Sequence, residues 1–201
     1  MEFQKSADCR AIPNPGLIEA FAEHPELYDA MPQHLHGPFE YYERSLQKSF
    51  FPLRERHGLA KKPWLSGETA LTSVFGEEDT VARTVWKKIL YAWAWGAADY
   101  IWYNLKATGW KASDSEQAYG LITADYYPRA GYAAFSALTE IFEGLDFDAR
   151  LHSGDGRHVF RFKGEKGGFR GVVIAGWDSS GKPRRQSVSA RTRNAPGSRT
   201  S

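Results

Sequence analysis

KPWLSGET, Lys62 to Thr69, is a short apolar run entered through a proline and closed by a glycine, with a carboxylate directly behind it. Pro63 to Gly67 reads as a short buried strand, and Glu68 falls just past its end. On the upstream side a helix is predicted from Phe39 to Arg56, where Tyr42, Leu46, Phe50 and Leu53 recur at helical spacing. His57-Gly58 closes it, as a glycine does at a helix C-terminus. Downstream, a helix is predicted from about Asp79, a plausible N-cap, to Gly96, with Val81, Val85 and Ile89 on one face. Tyr28 to His36, ending at Gly37-Pro38, is predicted as the strand before. Ala98 to Leu105 (ADYIWYNL) is predicted as the strand after. Strand and helix thus alternate three times in units of roughly 35 to 40 residues, the pattern of a parallel sheet with crossover helices.

A shorter helix, Gly16 to Glu23, precedes this array. A short strand, Tyr119 to Thr123, and a helix from Pro128 to Gly144 follow it. After Gly144 the pattern changes. Leu145 to Leu151, His158 to Lys163 and Phe169 to Trp177 read as short strands joined by glycine-rich turns, a small antiparallel unit. Ser179 to Ser201 carries six Lys and Arg and no acid, and is expected to be a disordered basic tail.

Composition narrows the function classes. The net charge of +2 leaves the chain before that tail at −4, so the folded part has no basic face for phosphates and no specific nucleic-acid partner is expected. The single cysteine, Cys9, excludes an intrachain disulfide and has no histidine near it in sequence. The longest nearly apolar run, Ile89 to Ala98, is about half of the roughly 20 residues a membrane span requires. No signal peptide is visible in the first ten residues. Six of the seven tryptophans lie between Trp64 and Trp110, which points to an aromatic core or an aromatic-lined pocket.

Three consecutive strand ends gather the candidate chemistry. His34 and His36 alternate on one side of the first, Glu68 follows the second, and Trp102 and Asn104 share one side of the third with Tyr103 on the other. In parallel α/β architectures working residues collect at the C-terminal ends of strands. Sugars need this mixture: an indole for their C–H faces, and charged or amide groups for their hydroxyls. A carboxylate there can attack the anomeric carbon. Trp110, Asp114 and Glu116 follow on the next loop and extend the candidate site. His34, His36 and Glu68 could also ligate a metal, but an indole platform would then have no purpose, and no cofactor is expected. Neither a Walker loop nor a GxGxxG is present. Glu77, Glu78 and Asp79 suit a helix N-terminus, and Trp93 and Trp95 suit a core.

The order of HLHG, PWLSGET and ADYIWYNL, followed by SDSEQAYGLI and YPRAGYAAFSALTEIF, resembles the last three units of the (β/α)8-barrel retaining glycoside hydrolases, the clan that includes β-xylosidases, β-glucosidases and cellulases. The resemblance covers Tyr28 to Phe142. It implies a partial barrel at residues 28–144, after a leader and short helix at 1–27. A partial β-sandwich-like unit at 145–178 and the tail at 179–201 follow. It makes Glu68 the nucleophile and Trp102 the floor of the sugar subsite. His36, with His34, falls beside the nucleophile, and the partner is a carbohydrate substrate.

Five further βα units do not fit before Tyr28, so the chain is expected to be a C-terminal piece whose exposed barrel edges favour self-association. The clan's acid/base glutamate usually follows an asparagine. Asn14, Asn104 and Asn194 are followed by Pro, Leu and Ala, so no acid/base residue is assigned. Retaining hydrolysis needs two carboxylates, and the chain alone is expected to be inactive or nearly so. Two rival readings stand beside this one: a noncatalytic carbohydrate-binding protein using Trp102 and Trp110, and a structural piece whose aromatics are only core.

Overall fold

The computed structural model describes residues 15–73, 77–109, 115–166 and 169–180. Residues 1–14, the basic tail beyond Ser180, Trp110 and Asp114 lie outside them, as does the side chain of Glu116. The fold is mixed α/β, with one parallel and one antiparallel sheet of three strands each.

The parallel sheet has the order β1 (Met31–Gln33), β2 (Trp64–Thr69), β3 (Ala97–Trp102). Between β1 and β2 the chain is helical from Phe39 to Arg56, and α4 (Glu78–Ala94) links β2 to β3. The helix expected over Phe39–Arg56 is three pieces: α2 (Phe39–Ser45), a π turn (Leu46–Phe50) and α3 (Phe51–Arg56). The cause is Pro52. It has no N–H to donate, and its ring would strike the carbonyl four residues back. A π turn widens the ladder there, and the Phe51 N–H reaches back to the Leu46 carbonyl. The apolar face survives the insertion, because Phe39, Tyr42, Leu46 and Phe50 are all buried.

The α4 cap differs by two residues from the sequence expectation. Glu77 takes the extended N-cap conformation, and Glu78 opens the helix. The Glu78 carboxylate binds Arg129 and accepts the Ala130 N–H at 3.3 Å, so it also caps α6 (Ala130–Phe142). Residues 119–123 do not form a strand. They make isolated bridges from Ile122 to Lys106 and to Pro128. The short helix α1 (Pro15–Glu23) precedes β1, and α5 (Ser115–Ala118) lies before α6.

After Gly144, β4 (Leu145–Gly154), β5 (Arg157–Lys166) and β6 (Phe169–Asp178) pair antiparallel in sequence order. Their inner face joins the helical layer in one apolar cluster: Phe160 and Phe162 are buried together with Tyr91, Leu138 and Phe142. His158 is buried in the same place, with Nδ1 3.0 Å from the Ser153 hydroxyl and Nε2 3.2 Å from the Glu43 carboxylate. Trp93 packs on Phe142 and Phe162, and Trp95 stacks on Phe51 at 5.5 Å, so both serve the core. Among the described residues no helix is long and apolar enough to cross a membrane.

Candidate functional site

The C-terminal end of β2 is irregular, and that irregularity presents Glu68. Ser66 pairs with Tyr100 and Thr69 with Trp102, so β2 advances three residues while β3 advances two. The extra residue is a bulge over Gly67 and Glu68. In a regular strand Ser66 and Glu68 would share a face. The bulge gives Thr69 the inward place instead: Ser66 and Thr69 are both buried, with their hydroxyls 3.4 Å apart. Glu68 is turned the other way, its side chain 55% exposed. Bulges next to active sites commonly re-aim a side chain in this way.

His34, one residue past the end of β1, meets Glu68 with Nδ1 3.7 Å from the carboxylate. The imidazole reaches it by lying across the β2 backbone. A Cβ at Gly67 would come within 2.6 Å of the ring, so this approach requires glycine there. Two residues on, His36 sits edge-on to Tyr103 at 5.5 Å and against Tyr119 at 4.9 Å. Tyr103 and Tyr119 are themselves 5.4 Å apart.

Trp102 stands beside Thr69 in the ladder, but its ring faces the helices. It is 8% exposed and packs with Leu71, Val81, Val85, Tyr119 and Leu121. It therefore does not stand open as a platform. Its indole N–H is buried without a hydrogen-bond partner among the described residues, as is the side-chain oxygen of Asn104. The Tyr103–Asn104 peptide bond is cis. The partly exposed ring near the histidines is instead that of Tyr103, packed on the buried Tyr119. The sequence reading put Tyr103 on the far face and gave Tyr119 no role.

Behind the site lies a polar floor. Tyr42 and Ser66 share a 2.8 Å hydrogen bond, and the Tyr100 hydroxyl donates to the Thr69 carbonyl at 3.4 Å. Burial pushes both phenols up from their ordinary range, so they stay neutral. The arrangement thus offers one carboxylate, two imidazoles and two phenol rings at one end of a parallel sheet. Among the described residues, no group of three or more His, Cys, Asp or Glu could hold a metal ion.

No protein-family model and no curated protein matches the chain. Its fold is similar to that of a solved family 39 glycoside hydrolase from the gut symbiont Bacteroides cellulosilyticus WH2, with a TM-score of 0.59 at 15% identity. The alignment covers 82% of this chain and 38% of that one, so the likeness is to a part of that enzyme and is one of fold.

Proposed function

We propose that this chain is the C-terminal part of a retaining O-glycoside hydrolase, with residues 28–144 contributing strands six to eight of a (β/α)8 barrel and residues 145–178 an accessory β unit. Glu68 is the nucleophile. Its carboxylate attacks the anomeric carbon, the glycosidic C–O bond breaks, and a glycosyl ester forms that water then hydrolyses. His34 holds the carboxylate in position. His36 and Asn104 take sugar hydroxyls, and Trp110 and Glu116 extend the subsite. The observation that carries this reading is the bulge that delivers Glu68, alone of its strand end, to the open side beside His34. The likeness of fold to a glycoside hydrolase adds to it.

The leaving oxygen of an ordinary glycoside needs a proton, and this chain has no residue assigned to give it. A dinitrophenolate leaves without one. The chain is therefore expected to cleave dinitrophenyl β-xylosides or β-glucosides while leaving alkyl glycosides nearly untouched, and Glu68→Gln is expected to lose the cleavage. Sugar binding without cleavage would favour a noncatalytic carbohydrate-binding protein, for which the partly exposed His36 and Tyr103 rings provide the surface. Neither binding nor cleavage in a folded sample would refute both.

A further inference from the structure

The buried face of α4 carries one residue that packing does not explain. Val81, Val85 and Lys88 follow one another on the inward side of the helix, and at 0% exposure Lys88 occupies a place where an aliphatic side chain would pack without cost. Its ammonium donates to the Leu35 carbonyl at 3.1 Å and to the Ala70 carbonyl at 3.0 Å, and lies 5.2 Å over the ring of Tyr42.

The two carbonyls belong to the segments that carry the site. Leu35 stands between His34 and His36, and Ala70 lies two residues past Glu68. The β1–β2 ladder stops at the Gln33–Ser66 pair, before any of these side chains. Beyond that point the segments are joined by the Leu35 N–H to the Thr69 hydroxyl at 3.4 Å, and by the Gly37 N–H to the Ala70 carbonyl at 2.9 Å. The Lys88 bridge adds two more links. The Ala70 carbonyl uses both lone pairs, one for Gly37 and one for Lys88.

We propose that Lys88 is a positioning residue that fixes the distance between the histidine segment and the Glu68 segment by clamping their carbonyls from beneath. The proposal rests on the reading of Glu68 and His34 as the site. A shift of about an ångström in a reacting group costs on the order of a hundredfold in rate, so the clamp acts on the chemical step.

The test measures dinitrophenyl glycoside cleavage by the wild-type chain and by Lys88→Met. Lys88→Met is expected to lower kcat on the order of tenfold or more with KM within about twofold. Lys88→Ala is expected to recover part of the loss when ethylammonium is added, which a purely structural role would not produce. An unchanged kcat, or a loss that ethylammonium does not restore, overturns the proposal. Amide exchange separates this from the reading beneath it. If the wild-type chain cleaves nothing, the hydrolase reading fails and the clamp is judged on exchange alone. Faster exchange at Leu35 and Gly37 in Lys88→Met, with the α4 amides unchanged, supports it, and unchanged exchange overturns it. Should neither variant fold, the wild-type protein decides. A slowly exchanging Lys88 ammonium with couplings across its hydrogen bonds to the Leu35 and Ala70 carbonyls supports the clamp, and a rapidly exchanging one overturns it.

Discussion

Phe162→Ala probes whether the antiparallel sheet and the helical layer melt as one body. Phe162 is 0% exposed. Its ring lies 4.8 Å from Phe142 on α6, 4.9 Å from Trp93 on α4 and 5.8 Å from Phe147 on β4, so it touches both layers. A buried Phe→Ala change costs about 3–5 kcal/mol through lost transfer energy and the cavity left behind. The helices and the sheet hold this site from several sides and cannot collapse into it, which favours the upper half of that range. A domain of this size holds about 5–15 kcal/mol in total and shifts its Tm by roughly 2–4 °C per kcal/mol, so a drop of roughly 8–20 °C is expected. The melt should be followed by far-ultraviolet circular dichroism and by tryptophan fluorescence together. Both signals are expected to fall in one transition at the lowered temperature. A first transition that removes only β signal, followed by unfolding of the helices at the wild-type temperature, would refute the shared core and leave residues 145–178 as a separate unit.

Three further outcomes follow from the geometry. Gly67→Ala places a methyl against the His34 ring, which is 49% exposed and free to swing outward. Stability is expected to change by less than about 1 kcal/mol, while cleavage of activated glycosides falls as the His34–Glu68 contact opens. A loss of fold, or unaltered cleavage, would contradict this. A double-mutant cycle on Glu78→Ala and Arg129→Ala is expected to give a coupling of about 1–2 kcal/mol by urea denaturation, the lower part of the range for charged hydrogen bonds because Glu78 is half-exposed. Hydrogen bonds from Lys163 and Arg161 hold the Asp148 carboxyl below the usual carboxylate range. A depressed folded-state pKa means its stabilisation is complete above the unfolded-state value, about 3.9, and is lost as pH falls through the folded one. The stability difference between wild type and Asp148→Asn is therefore expected at neutral pH and should vanish in strong acid. A difference that persists there would contradict the ion pairing.

The sequence made the parallel βα array legible because each element carries a strong local signal. Tyr42, Leu46 and Phe50 mark the helix face, and Gly37, Gly58 and Gly96 mark the ends. Pro52 was visible as well, but helical spacing on both sides of it hid the π turn. The site was legible as residue types and order, and less so as directions. Alternation assigns Glu68 to the face of Ser66, and only the observed register shift reveals the bulge. The same alternation suggested an open indole at Trp102, whereas the apolar residues of α4 and Leu121 draw that ring into the helix-side cluster. Tyr119 reaches His36 through a loop that no periodicity describes. Lys88 was detectable in principle, as a charged residue three positions after Val85 on an apolar stripe, but its partners are main-chain carbonyls and leave no trace in sequence.

The most direct measurement is the mass of the protein after incubation with an activated 2-deoxy-2-fluoro glycoside, whose fluorine slows release of the glycosyl ester. A single glycosyl adduct is expected, located by peptide mapping to Glu68 and absent from Glu68→Gln. An unmodified mass in a folded sample, or an adduct on any other side chain, would contradict the account.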